Sequence, residues 1–444
     1  MRWHAAGATL VVGLGLAACG SGAGTVLDAA VSDAALDGAT VVEPVANPAR
    51  EVLNTALALD VTAHTGSATI TFGPSDAPGA SLEAEGLTIT AVTLPDQTVV
   101  PFLVFNQAQL QLGLAASPTP VTVAITYSYA LHGNFMGQSA AGYTLIWPDY
   151  CGNVFPCHSQ PDDGTTFQVT LSGVPAGKTA VYPTVIPEEA PAYQVAWSID
   201  AYTELALGAT TAGTQLSAWY RPGEETAART GTVNLVAAFD WYERVIGPYR
   251  FGPKAGTVSV NWGAGQFGGM EHHPFWHVGS GALASEDTSA HEAAHGWYGD
   301  GIRLQCWEDF VLSEGTVSYL SARAMDVVAP SVGAATWQGY RQELASLPGT
   351  LKVWPQSCGV VDVNTIFTRA PYIRGAFFYR ALADKLGAAV VDDVLHQFYA
   401  AHAGKAARMS DMLQTIRDVT GYDPTVCAAT WLTSTTRPTP GPCP

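Results

Sequence analysis

Basic residues are scarce in this 444-residue chain: 20 Lys and Arg stand against 38 Asp and Glu, for a formal net charge of −18. That balance repels polyanions, and so argues against nucleic acid and anionic membrane surfaces as partners. Long apolar runs are also missing. Beyond the N-terminal segment no stretch of about 18 continuous apolar residues occurs, so no spanning helix is expected there. The seven cysteines include no CxxC pair, which argues against a four-cysteine structural zinc. No internal repeat is visible, which speaks against a solenoid or propeller. What remains is 48% hydrophobic and 10% aromatic, the composition of a globular chain with a sizeable core and one to three domains.

The N-terminus, MRWHAAGATLVVGLGLAAC, has a cationic start at Arg2 and a short apolar run. The run is too short to cross a bilayer but suits a signal peptide over residues 1–18. LAAC, ending at Cys19, resembles the bacterial lipobox, in which the cysteine is lipidated. The expectation is an extracytoplasmic cell-envelope lipoprotein, held at the membrane only through Cys19. The Gly/Ala/Ser-rich residues that follow read as a tether over 19–45. Export suits disulfides among the other cysteines. Sequence proximity suggests Cys151–Cys157 and Cys427–Cys443, which leaves Cys306–Cys358.

From about residue 46 the texture changes. SATITF, LTITAV, TVAITYSY and TFQVTL alternate β-branched or aromatic residues with polar ones, separated by Gly, Pro, Asn and Asp. This is the pattern of an antiparallel β domain, expected over 46–222. Helical spacing dominates the second domain, 223–444. TVNLVAAFDWYERVIG (232–247) is one such segment, and others are expected around His291 and at 314–328, 375–387 and 410–419.

Chemistry concentrates in that second domain. HEAAH places His291 and His295 four residues apart, so on a helix both imidazoles face one ion. Glu292 then lies near the open coordination position, where a general base toward water is needed. A third protein ligand is required, and Glu314 follows His295 with eighteen residues between them. A second histidine-rich stretch, FGGMEHHPFWH (267–277), offers His272, His273 and His277. These could form a second metal site, or line or support the substrate cleft. Pro274 directly after His273 sets that residue at a turn or helix start rather than inside a helix.

Taken together, HEAAHGWYGDGIRLQCWEDFVLSEG resembles the gluzincin signature of the M1 aminopeptidase family, with its H-x-W-[FY]-G-[ND] and W-x-D-x-x-L-x-E-G habits. The resemblance implies one zinc per chain on His291, His295 and Glu314, with Glu292 as the general base that activates the zinc-bound water. The thermolysin branch carries an acid four residues after its third ligand, where this chain has Ser318. GGMEH is similar to the family's G-x-M-E-N segment. By that likeness Gly268, Gly269 and Met270 contact substrate, and Glu271 holds its free α-amine. APYIRG resembles the segment that supplies the family's oxyanion-stabilising tyrosine, which implies that role for Tyr372.

Further out, NVFPCHSQPDD resembles a strand of the family's N-terminal β saddle, with Ser159 and Gln160 in place of an acidic pair. Many relatives carry an amine-contacting glutamine about ten residues before that cysteine, and Trp147 is the approximate counterpart here. The chain stops in RPTPGPCP, where larger relatives continue into a helical C-terminal domain. The resemblance thus implies a multidomain β + α protein: an N-terminal β saddle followed by a thermolysin-like, mostly helical zinc-peptidase domain, with the large helical C-terminal domain absent and the cleft more open. The expected activity is removal of N-terminal residues from peptides with free amino ends. The alternatives are a gluzincin endopeptidase and a catalytically silent binding protein on the same scaffold.

Overall fold

The computed structural model describes residues 41–133, 135–263, 265–348 and 352–444. The signal segment, Cys19 and most of the tether lie outside the described residues. Among the described residues, no helix is long and apolar enough to cross a membrane.

The first domain is built on a six-stranded sheet in the order 185–190, 165–172, 52–60, 65–72, 121–129, 87–93. Its strands follow from alternation. In TGSATITF (65–72), Ala68, Ile70 and Phe72 turn inward while Thr69 and Thr71 turn toward solvent, the period of two that a half-buried strand requires. Across the ladder Ile70 pairs with Val123 and Ala68 with Ile125, so the inward residues meet on one face. At Gly66 a Cβ would lie 2.6 Å from the Tyr127 ring, so only glycine leaves the ring its place. A three-stranded sheet, in the order 80–83, 109–112, 102–105, packs alongside. Ser159 donates to Glu83 Oε1 at 2.7 Å, fastening the FPCHSQ segment to that sheet.

The second domain opens with a five-stranded mixed sheet in the order 203–209, 215–220, 254–260, 275–279, 269–270. This differs from the expected division at 222. Strands 203–209 and 215–220 hydrogen-bond into the second domain's sheet. Alternation identifies a strand but not its partner, which is why the boundary falls about twenty residues earlier than the pattern suggested. It also means that the second domain is less purely helical than its spacing implied. KAGTVSV (254–260) is buried at every position after the first, as a strand covered on both faces must be.

Eight helices of seven residues or more follow that sheet or interleave with it: α1 Glu225–Gly231, α2 Leu235–Val245, α3 Glu286–Ala294, α4 Phe310–Val328, α5 Pro330–Ser346, α6 Arg369–Leu386, α7 Ala388–His402 and α8 Met409–Thr420. Helix α3 is capped by Ser285, whose hydroxyl accepts from the Thr288 amide at 3.1 Å, and carries Glu286 and Asp287 in its first turn. Both features stabilise a helix N-terminus. Helix α6 starts six residues before the expected 375. Thr368 caps it and Pro371 sits in its first turn, where the missing N–H costs nothing.

Helices α4 and α6 make the domain's most extensive helix contact, and they cross at two glycines. A Cβ on Gly375 would lie 2.4 Å from the Gly315 Cα, and one on Gly315 would lie 2.7 Å from the Gly375 Cα. Only a glycine pair permits that approach. It sets Glu314, one residue before Gly315, against the first turn of α6, which holds Tyr372.

All three expected disulfides are present: Cys151–Cys157, Cys306–Cys358 and Cys427–Cys443.

Candidate metal centre and active site

His291 and His295 project from one side of the α3 C-terminal turn, with ring centroids 5.0 Å apart. Glu314, on α4, reaches both: its Oε2 lies 3.0 Å from His291 Nε2 and 3.5 Å from His295 Nε2. One donor atom from each of the three falls within 4.8 Å of the others. His295 Nδ1 faces the Tyr298 carbonyl at 3.0 Å. Donation there leaves Nε2 as the lone-pair nitrogen on the side of Glu314, the arrangement by which an outer partner sets a ligand's tautomer.

The local charge is lopsided. Burial lowers the His295 pKa, but Glu314, Glu271 and Glu292 overcome it and raise the value to about 10. Burial pushes the Glu314 carboxyl up, yet the two histidines hold it well below the ordinary range. Three carboxylates converging on two imidazoles form a pocket that favours positive charge. Two nitrogens and one carboxylate oxygen are the donor set of a catalytic zinc, and the residues present fit that ion.

Glu292 and Glu271 complete the cluster. Their carboxylates and His295 also lie within 4.8 Å of one another, all three side chains buried. Burial drives the Glu292 carboxyl well above its usual pKa; His295 opposes this, and Glu271 and Glu314 add to it. Gly268 precedes a short edge strand, Gly269–Met270, which pairs antiparallel with 275–279. A Cβ on Gly269 would fall 2.3 Å from Glu292 Oε1, so glycine is what lets this strand run beside α3.

Tyr372 stands next to the candidate metal ligands. Its ring stacks on His291 at 5.8 Å with planes 16° apart, and the Glu314 carboxylate is close enough to raise the phenol's pKa further above the level burial sets. The Arg369 guanidinium lies 4.6 Å from the ring centroid. Tyr379 instead packs in the core and accepts from Thr316 Oγ1 at 2.8 Å.

The three histidines of FGGMEHHPFWH are no more than 1% exposed, so they support the cleft from behind and do not line it. His273 and His277 do not share a helix: His277 lies in strand 275–279. His272 and His277 face each other through their Nδ1 atoms at 3.2 Å. His273 bridges the Tyr249 hydroxyl, at 2.8 Å, and the backbone carbonyl of Glu292, at 2.9 Å. Among the described residues none of the three joins a metal-binding cluster. Trp147 packs against Phe367, Trp307 and Phe310, with centroids 4.6, 5.7 and 6.2 Å away, an apolar setting for a position where relatives carry an amide.

Two residues without an assigned role in the sequence reading also stand here. Tyr193 donates to Asp300 Oδ1 at 3.2 Å, and both are buried. Asp300 falls within the WYGD motif, which was one available signal. Tyr193 sits more than a hundred residues away in the other domain and carried none.

Residues 279–431 match the family model described as the peptidase family M1 domain. That segment of the chain is therefore a peptidase family M1 domain. Among similar proteins in this family, the thyrotropin-releasing hormone-degrading ectoenzyme of Rattus norvegicus is 26% identical over 336 residues, covering 66% of this chain and 30% of that protein. Aminopeptidase M1-C of Oryza sativa subsp. japonica is 23% identical over 398 residues, covering 79% of this chain and 44% of its own. The chain thus spans less than half the length of either of these relatives. Among solved structures, an M1 zinc metallopeptidase from Deinococcus radiodurans superposes with a TM-score of 0.75 at 20% identity, covering 88% of this chain and 96% of that one. The two-domain architecture of this chain is therefore shared with a solved structure.

Proposed function

We propose that this M1 chain is a zinc-dependent aminopeptidase acting on peptides with free N-termini. The observation that carries the reading is the convergence of two groups on His295: His291 and Glu314 on one side, Glu292 and Glu271 on the other, with all but the half-buried His291 buried. Zinc, when bound by the two imidazoles and Glu314, supplies a Lewis acid that polarises the scissile carbonyl and acidifies water.

The chain's own residues do the rest. Glu292 accepts a proton from the attacking water and delivers it to the departing amine. The Tyr372 hydroxyl donates toward the carbonyl oxygen as negative charge develops there, a role worth most when the donor is already in place. Glu271 pairs with the substrate's α-ammonium and so fixes how far along the peptide cleavage falls. Among the described residues no strand lies beside the outer edge of Gly269–Met270, and its backbone is available to a substrate in extended form, with Gly268 leading into it.

The experiment compares a tripeptide amide with its N-acetylated form on the soluble chain from residue 41 onward. Cleavage of the free form at least tenfold faster (by roughly the weight of one charge-assisted hydrogen bond) is expected. Equal rates would replace this reading with the endopeptidase alternative, which the apolar surroundings of Trp147 favour. We further propose anchoring through a lipid on Cys19. Metabolic labelling with a fatty acid, lost in Cys19→Ala, is the corresponding measurement.

A further inference from the structure

Beside Glu271 the structure holds a polar group that the proposed chemistry leaves unused. Tyr193 comes from the short turn Ala192–Gln194 of the first domain, and Asp300 from the turn that follows α3 in the second. Tyr193 is 5% exposed and Asp300 0%. The phenol donates to Asp300 Oδ1 at 3.2 Å and shares a cavity wall with Glu271. Tyr193 and Glu271 line a common cavity of 10 Å³ with Trp307, Phe310 and Ser313, about the room of a single water. Behind them, the Gln194 amide lies close enough to Asp300 to interact with it, but neither of its polar atoms nor Asp300 Oδ2 meets a partner at full hydrogen-bond geometry. Buried polar atoms are nearly always paired. A cluster of polar groups with unused capacity, placed around one carboxylate, suits a polar ligand better than it suits packing.

The donor count identifies that ligand. A phenol has one proton, and here Asp300 takes it. The remaining lone pair of the Tyr193 oxygen is then an acceptor next to Glu271. An ammonium has three N–H donors, more than one carboxylate oxygen satisfies. Trp147, packed among aromatic rings, offers no acceptor.

We propose that Tyr193 is a second acceptor for the substrate's α-ammonium, with Asp300 as the positioning residue that holds its hydroxyl proton away from the amine. This rests on the reading of Glu271 as the amine anchor. The recognition of a free N-terminus is then shared between the two domains: Glu271 comes from one and Tyr193 from the other.

Isothermal calorimetry on the inactive Glu292→Gln protein, loaded with zinc, reads this without turnover. The probes are a free-amine tripeptide and its N-acetyl form. Adding Tyr193→Phe is expected to weaken binding of the free-amine peptide by about tenfold and to leave the acetylated peptide unchanged. Asp300→Asn is expected to weaken the free-amine peptide in the same direction by less, and the two substitutions together to cost no more than Tyr193→Phe alone. Unchanged affinity for the free-amine peptide, or an equal loss on both peptides, overturns the proposal while leaving Glu271 its role. If the parent protein does not distinguish the two peptides, Glu271 is not the anchor and both readings fall. Thermal unfolding of each variant confirms that it is folded; should Tyr193→Phe not fold, selective loss in Asp300→Asn supports the proposal and its absence overturns it.

Discussion

Replacing Glu292 by Gln is expected to lower kcat by about 10²- to 10⁴-fold, the usual contribution of a positioned proton-transfer group, while leaving KM and zinc content near their original values. The substitution is close to isosteric, so the contact with the Gly269 backbone, where a Cβ would come within 2.3 Å of Glu292 Oε1, is preserved. The His273 latch to the Glu292 carbonyl involves the backbone and is untouched. What disappears is the carboxylate that accepts the proton. Steady-state kinetics together with elemental analysis for zinc is the measurement. A variant that retains zinc and more than a tenth of the parent kcat would show that another group moves the proton.

Losing Glu314 is expected to have an effect at least as large, but by another route. Glu314→Ala removes the only carboxylate among the three proposed ligands, and with it the negative charge that sits between the two imidazoles. His291 and His295 remain four residues apart on α3, and two nitrogens alone make a poor zinc site. Zinc content is expected to fall well below one per chain, with peptidase activity falling to background. Chelation of the parent protein is expected to do the same, reversibly, with activity restored on adding zinc. Activity that survives complete metal removal, verified by elemental analysis, would sink the metal-dependent mechanism.

Which parts were legible in the sequence follows from how each was encoded. HEAAH carries its meaning in short spacing, because helix periodicity puts both imidazoles on one face without reference to the rest of the chain, whereas the GGMEH glutamate was readable only through its likeness to the family's G-x-M-E-N segment. The helices at 235–245 and 409–420 show their faces in the same way. The disulfides followed from proximity along the chain. Three things depended on distant partners and left little trace. Strands 203–209 and 215–220 look like any others, and only pairing with 254–260 assigns them to the second domain. The histidines of FGGMEHHPFWH look like ligands until the fold turns them inward. The approach of Tyr193 to Asp300 spans 107 positions, and no local pattern anticipates it.

Those inward-facing histidines also make the core responsive to protons. His273 and His277 are held neutral by burial, with pKa values lowered to about 3, and burial lowers His272 well below its usual value. The unfolded chain titrates them near their ordinary value of about 6.5. Between those limits the unfolded state binds more protons, so acidification favours unfolding; above about 6.5 the term is constant. Each histidine contributes a slope of about 1.4 kcal/mol per pH unit within that window. Buried Glu292 and Asp300, whose carboxyl pKa values burial raises, act in the opposite sense. In urea melts of the zinc-free chain the His273→Gln and His277→Gln variants are therefore expected to lose less stability between pH 6.5 and 4 than the parent does, and an unchanged slope would contradict the assignment. These three side chains favour the fold in neutral surroundings and work against it where acid accumulates.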